Sequence, residues 1–491
     1  MTEDLSAEHE RLGLAVVEII KSYARSLDGL AVTSEATPAE LERLFDEPLP
    51  LDGAGALEIL ERFKRDILPH AMQIPSPRYY GLFNPTPLPI GVWADALTSA
   101  INQNLAAWRN SPPASIIEAR VLRWLCELLG YSDPASFGTL TSGGSEANLI
   151  ALKCARDRAS TLARDEGLRA GGLDLVVYAS EQCHYSLVKS VDMLGLGRNN
   201  LRKVATDDNF QIRLDDLRAL IERDLRDGRT PCCIAGAAGA TSTGIVDPLD
   251  GLAQLAREYD CWFHVDAAYG GALAFSEKHR GLLKGIERAD SITIDPHKWM
   301  FVPFACGAVL VRGGASVLRD AFDITPEYLS EEREHLRGRD VEYDFFRYGQ
   351  LGTRRFNALK IWMALQHLGV RGYASIIERQ IELANYLAAQ IEGLEDFRRV
   401  GPIHTAVCCF RFIPEEARAL DGEALDRLQM ALQQRIERSG AAWFSTTVLH
   451  GRRALRVNIN SFLTEQRHID DLLSLLQRES ANLLKDQSKQ I

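Results

Sequence analysis

No stretch of this chain approaches the roughly 20 consecutive apolar residues that a membrane-crossing helix requires, so a spanning segment is not expected. Positive charge is in deficit: 56 Lys and Arg stand against 67 Asp and Glu, a formal net charge of −11. Nucleic-acid phosphates need clustered Lys and Arg, and a partner of that class is not expected. The nine cysteines contain no C-x-x-C pair, are odd in number and include the neighbours Cys232-Cys233 and Cys408-Cys409. That pattern argues against a disulfide framework or a zinc site and fits reduced thiols in a cytosolic compartment. The start, Met1-Thr2-Glu3-Asp4-Leu5, lacks the charged-then-apolar layout of a secretory signal, and a cytoplasmic location is expected. There is no internal repeat, and no low-complexity tract beyond the polar tail at 486–490.

What is present is ample. With 491 residues, 46% hydrophobic and 25% charged, the chain is long enough for two or three domains with a large buried core. Residues 1–92 read first as helical: Leu14, Val17 and Ile20, then Leu57, Leu60, Phe63 and Ile67, recur at helical spacing. Prolines 69, 75, 77, 85, 87 and 89 follow, a density expected to exclude regular helix and sheet ladders. From 93 to 367 short apolar runs (175–178, 232–235, 262–265, 291–294, 308–311) alternate with helical stretches at 147–163, 184–194, 214–226 and 248–259. That alternation predicts an α/β layered sheet with helices on both faces. Residues 368–491 read as a smaller α+β domain with helices at 375–393, 422–438 and 465–483 and strands at 407–412 and 454–458.

Several residues are candidates for chemistry. Thr141-Ser142-Gly143-Gly144-Ser145-Glu146 opens a helix after a glycine turn, where backbone N–H groups and the helix dipole favour an anion and the hydroxyls of Ser142 and Ser145 add donors. It is not a P-loop, because that motif's lysine is absent; a plain N-cap would look the same. Asp266 ends the apolar run 262–265, at a strand's end. A helix cap or a buried ion-pair partner is the ordinary alternative. His264 lies two residues earlier on the same strand face, but no third ligand is evident, so no metal site is expected. Lys298, in Asp295-Pro296-His297-Lys298-Trp299, follows the run 291–294, where α/β proteins place ligands. A snorkelling surface lysine and a satisfied core His297 are the plainer readings. His184 begins a helix after a strand, and Thr241 follows the run 232–235. A lysine amine forms Schiff bases with carbonyls, and a pyridine-aldehyde cofactor needs an acidic partner for its ring nitrogen. Lys298 and Asp266 together could hold the two ends of one such cofactor, pyridoxal phosphate.

The ordered set 141–147, 181–184, 239–243, 264–269 and 296–299 resembles the group II pyridoxal-phosphate-dependent amino-acid decarboxylases, closest in pattern to the aromatic-L-amino-acid branch. The resemblance implies a fold type I large domain (93–367) with a central, mostly parallel sheet, an N-terminal helical segment (1–92) packed across a partner subunit of a homodimer, and a small C-terminal domain (368–491). It implies Lys298 as the Schiff-base lysine, Asp266 as partner of the ring nitrogen and His184 as the stacking histidine. Gly144 and Ser145 fall in the phosphate cup, Thr241 and Ala268 near the ring, and His297 and Asp295 beside the phosphate. Many aromatic-type members carry asparagine where this chain has Asp295.

The implied reaction is decarboxylation of an L-amino acid to an amine and carbon dioxide. Tyr328, just before a charged stretch (330–344) with the composition of a lid, is the candidate proton donor to Cα, and a tyrosine there goes with the amine product. Trp108, Phe83 and Tyr80 are the substrate-side candidates for an aromatic side chain, while Arg109 could instead receive an acidic one. Transamination or oxidative deamination on the same fold is the nearest rival, and an idle binding protein the more distant one.

Overall fold

The computed structural model describes residues 2–324, 343–415 and 421–488. The chain divides into two compact units: Met1–Thr86, Tyr386–Val400 and Cys409–Ile491 form the first, and Pro87–Asn385 with Gly401–Cys408 the second. The N-terminal residues thus share a unit with the C-terminal ones, where three successive regions with boundaries at 92/93 and 367/368 were expected. Two features account for this. The short strand β1 (Tyr79–Tyr80) pairs in parallel with a strand near the C-terminus, and the later boundary falls inside the long helix Ala358–Glu392.

In the first unit, helices α1 (Thr2–Ser26), α2 (Pro38–Phe45) and α3 (Ala56–Arg62) precede β1. The proline-rich passage is less irregular than expected. It contains β1, and helix α4 (Pro89–Ile101) starts on a proline, whose missing N–H and fixed φ suit a first helical position.

The second unit is built on a seven-stranded sheet: β2 (Phe137–Thr141), β3 (Leu175–Ser180), β4 (Leu201–Val204), β5 (Thr230–Ala237), β6 (Trp262–Asp266), β7 (Ser291–Ile294) and β8 (Gly307–Val311). The spatial order is β2-β8-β7-β6-β5-β3-β4. Strands β4, β3, β5, β6 and β7 run parallel, and β8 is antiparallel to both β7 and β2. Helices α5 (Pro112–Leu128), α6 (Gly144–Ala159), α7 (Tyr185–Met193), α8 (Leu214–Arg226), α9 (Leu249–Glu258) and α10 (Ala315–Phe322) connect and cover it. Strands β2, β3, β7 and β8 are buried along their whole length, as sheets with both faces covered require. The α/β architecture with a mostly parallel central sheet is therefore the one expected. Parallel strands put their C-terminal ends on one edge, so Asp266 at the end of β6 and the turn 295–300 after β7 emerge side by side.

The remaining strands, β9 (Phe397–Val400), β10 (Val407–Phe412), β11 (Trp443–Leu449) and β12 (Arg452–Asn458), join β1 in a second sheet of order β1-β11-β12-β10-β9. Helix Gly422–Arg438 packs on β11 and β12, giving the α+β character expected of the C-terminal region. Tyr79 stacks on Trp443 with centroids 5.3 Å apart. Gly81 is required there, because a Cβ would lie 2.1 Å from the Trp443 ring.

Candidate active site

The site is assembled from four sequence-distant pieces of the larger unit. Helix α6 begins at Gly144, and backbone crowding explains the glycines. A Cβ on Gly144 would lie 2.9 Å from Asp295 Oδ2 and 3.3 Å from the Ala268 methyl, and one on Gly143 would lie 3.1 Å from His297 Cε1. Asp295, Ala268 and His297 are therefore packed directly against the α6 N-terminus, where unpaired N–H groups gather. The Ser142 hydroxyl, expected as an anion donor, is otherwise engaged. Both it and the Ser142 N–H donate to Glu146 Oε2 at 2.8 Å. Ser145 is exposed at the first turn.

Lys298 lies in the turn after β7, and its Nζ pairs with Asp295 Oδ2 at 3.0 Å. It is no surface lysine: Trp299 and Met300 beside it are buried, and Trp299 stacks on Tyr269 at 4.6 Å while its indole N–H donates to Gln380 Oε1. Asp295 is buried, and its Oδ1 finds no hydrogen-bond donor among the described residues. A carboxylate oxygen left in that state is costly, and it marks a place where a further donor belongs. His297 is held at Nδ1 by the Cys306 N–H (3.0 Å), with Nε2 3.8 Å from Asp295 Oδ2. Burial lowers its pKa, so the ring is neutral at neutral pH.

Asp266 receives the Ala268 N–H (3.2 Å) at Oδ1 and the side-chain amide of Asn148 (2.9 Å) at Oδ2. His184 is the N-cap of α7, accepting the Ser186 N–H at Nδ1 (3.3 Å). The cap reading of that residue is thus correct as far as it goes. Through Ser186, however, the ring also joins the network around Asp266, for Asn148 donates to Ser186 Oγ at 2.8 Å. Burial lowers the His184 pKa, while the charges of Asp266 and Asp295 oppose that shift and Lys298 reinforces it. Asp266, Asp295 and Lys298 thus all lie within electrostatic reach of His184. Thr241 sits in the turn after β5, next to the strand that ends in Asp266.

The remaining expected residues are not gathered there. Trp108 is in the same unit, its ring 5.3 Å from Tyr343 and its N–H on Asp344 Oδ1. Phe83 and Tyr80 belong to the other unit. Tyr80 has no exposed surface, and its hydroxyl donates to the His468 carbonyl at 2.8 Å, so it is a core residue rather than a substrate contact. Phe83 is covered by the Arg456 guanidinium, 4.9 Å above its ring. Tyr328 lies outside the described residues. Conversely, sequence reasoning passed over Asn148, Ser186, Ser291 and Thr293. The available signal was polar residues, His264, Ser291 and Thr293, inside strands that otherwise read as apolar.

The comparisons with known proteins agree with this geometry. Residues 38–413 match the pyridoxal-dependent decarboxylase conserved domain. The chain is 32% identical over 474 residues to an aromatic-L-amino-acid decarboxylase of Bacillus atrophaeus, covering 96% of this chain and 95% of the relative. Among solved structures it is similar to Oryza sativa TDC with PLP and tryptamine (TM-score 0.90, 27% identity, 97% of this chain and 98% of that one). It is equally similar to mouse CSAD (TM-score 0.90, 28% identity, 96% and 99%). The residues present fit pyridoxal phosphate: a lysine amine and a carboxylate at adjacent strand ends, and a glycine-lined helix N-terminus. The chain therefore belongs to the pyridoxal-dependent decarboxylase family, and is a fold type I amino-acid decarboxylase that uses pyridoxal phosphate.

Proposed function

We propose that the substrate is an aromatic L-amino acid, converted to the corresponding amine and carbon dioxide. The observation that carries this reading is the environment of Trp108. Its indole meets the Tyr343 ring, and the buried arginines on the neighbouring segments are already spent in ion pairs, Arg354 with Glu118 and Arg347 with Asp323. The names of the aromatic-L-amino-acid decarboxylase of Bacillus atrophaeus and of tryptophan decarboxylase 2 of Oryza sativa point the same way. A second reading, an acidic side chain, rests on the arginine residue type at 109, exposed beside Trp108.

In this scheme Lys298 is the residue that would hold the cofactor through its aldehyde. The cofactor supplies an electron sink for the carbanion left when carbon dioxide departs. Asp266, oriented by Ala268 N–H and Asn148, would pair with the ring nitrogen. Asp295 holds Lys298 Nζ, which is placed to carry a proton. His184 would lie on the ring face, Gly144, Ser145 and His297 would surround the phosphate, and Thr241 and Ala268 would flank the ring. Tyr328 is the candidate that returns a proton to Cα.

Incubating the cofactor-loaded protein with the twenty amino acids and hydroxylated aromatics, and measuring carbon dioxide and amine, tests the substrate class. Release confined to aromatic substrates is expected. Release only from glutamate or aspartate overturns the aromatic reading, and an aldehyde or keto acid in place of amine overturns the product.

We also propose a homodimer. Each unit presents an apolar stripe at helical spacing: Trp93, Leu97 and Ile101 on α4, and Ile59, Phe63 and Ile67 around the end of α3, each more than one-third exposed. Stripes of this kind mark protein interfaces. Sedimentation should give twice the chain mass, and Leu97→Glu should shift it toward the monomer.

A further inference from the structure

Beneath the site runs a chain of buried polar groups whose hydrogen-bond directions are forced from both ends. At one end the Trp262 indole, which can only donate, gives its N–H to Ser291 Oγ at 2.8 Å. Ser291 Oγ lies 2.9 Å from His264 Nδ1, and His264 Nε2 lies 3.0 Å from Asn148 Oδ1. Thr293 Oγ–H also donates to Asn148 Oδ1, at 2.7 Å. The two hydrogens of the Asn148 amide go to Asp266 Oδ2 and Ser186 Oγ. Asn148 is 1% exposed, and all four of its hydrogen-bonding positions are used.

At the other end the Asp266 carboxylate only accepts. A flipped Asn148 would turn its oxygen toward that carboxylate and its NH2 toward the Thr293 hydroxyl, so one amide orientation survives. With Oδ1 facing His264, Nε2 of that ring must carry the proton. A neutral imidazole then leaves Nδ1 bare, and the Ser291 hydroxyl, while accepting the Trp262 N–H, donates to it. Burial lowers the His264 pKa to about 4, so the ring is neutral at neutral pH.

From Asn148 the order continues outward. Ser186 Oγ accepts from Asn148 and lies 2.8 Å from His184 Nδ1, with its O–H available to donate there. The Ser186 N–H points at the same Nδ1. With two donors aimed at it, Nδ1 is bare, and neutral His184 carries its proton on Nε2. The charged and titratable groups acting on His184 are Asp266 from β6, Lys298 and Asp295 from the turn after β7, and Lys189 on its own helix.

We propose that Asn148 and His264 are positioning residues of the decarboxylation reaction: the relay Trp262–Ser291–His264–Asn148–Ser186 fixes His184 as its Nε2–H tautomer while the same Asn148 amide orients the Asp266 carboxylate. Neither residue need touch substrate. A single buried amide sets the hydrogen-bonding state of both groups that flank the cofactor ring.

The test is 15N NMR on histidine-labelled holoenzyme, with the His184 signals assigned by their loss in His184→Gln. Wild type should show bare Nδ1 and protonated Nε2. Asn148→Leu should give a mixture of tautomers at His184 and a fall in kcat on the order of tenfold to a hundredfold, the range spanned by losing one hydrogen bond to a charged group, with KM changed less. His264→Gln, whose amide can still donate to Asn148 Oδ1, should keep the wild-type tautomer and most of kcat, whereas His264→Leu should not. The His264 pair decides the matter if Asn148→Leu fails to fold. An Nδ1–H or doubly protonated His184 in wild type overturns the proposal, as does an unchanged tautomer in both leucine variants.

Discussion

Replacing Gly144 by alanine adds one methyl group at the point where the α6 N-terminus meets the turn after β7. Its carbon would lie 2.9 Å from Asp295 Oδ2 and 3.3 Å from the Ala268 methyl, inside the roughly 3.5–4.0 Å of ordinary carbon contacts. Asp295 cannot swing clear. It is 2% exposed, and on its other side Gly307 is so close that a Cβ there would meet Oδ1 at 2.6 Å. Overpacking of this kind costs about 1–3 kcal/mol, while alanine in place of glycine within a helix returns up to about 1 kcal/mol. Global stability should therefore change little. The site should suffer more, because the methyl occupies the approach to the helix N–H groups and presses on the oxygen that holds Lys298 Nζ. An effect of about 1–3 kcal/mol on cofactor binding corresponds to a roughly 5- to 150-fold weaker affinity. Equilibrium dialysis of pyridoxal phosphate against apoprotein reads this directly, with Gly281→Ala, where nothing lies within 4 Å of the added carbon, as control. Equal cofactor affinity in Gly144→Ala, Gly281→Ala and wild type would refute the assignment of the phosphate to this helix end.

Two further outcomes follow from buried charge. Glu118 is fully buried and pairs with Arg354, which also donates to Thr139 Oγ1 at 3.0 Å. Glu118→Ala strands the guanidinium at a cost of about 3–5 kcal/mol. At roughly 2.1 cal/mol/K per residue over a unit of roughly 300 residues, that lowers Tm by about 5–8 °C in calorimetry; a shift under about 1 °C would contradict it. His264, with its pKa lowered by burial to about 4, binds fewer protons folded than unfolded between pH 4 and about 6.5. Its contribution is therefore fully present above about pH 6.5 and is lost as pH falls toward 4. His264→Gln, which does not titrate, should show a flatter fall of denaturant midpoint with acid over that window, and parallel curves would refute the neutral buried ring.

Much of this architecture is legible in the sequence because buried parallel strands are simple objects. The apolar runs at 175–178, 262–265, 291–294 and 308–311 all lie in strands, and the helix expected at 214–226 has those bounds. The strands that escaped notice are those whose pattern is diluted: β2, Phe-Gly-Thr-Leu-Thr, and the edge strand β4, Leu-Arg-Lys-Val, whose middle residues are charged. In the C-terminal region β9 and β11 were missed for the same reason, Arg398 and Arg399 in one and Ser445, Thr446 and Thr447 in the other breaking any apolar run. Motif residues stood out because each sits at a strand end or a helix start. The network that connects them did not, since Asn148, Ser186 and Ser291 are common residue types whose meaning arises only when two strands and two helices converge. Tyr80 shows the opposite error. An aromatic residue in a proline-rich passage looks available to a ligand, yet its partner is a carbonyl 388 residues away.

The central claim is that Lys298 carries the cofactor. Borohydride reduction of the pyridoxal-phosphate-loaded protein, followed by peptide mapping by mass spectrometry, tests it most directly. The account predicts one phosphopyridoxyl group per chain, on the peptide containing Lys298, and no labelling there in Lys298→Ala. Stoichiometric label on another lysine, or none on Lys298 in a protein that still releases carbon dioxide from its substrate, would contradict it.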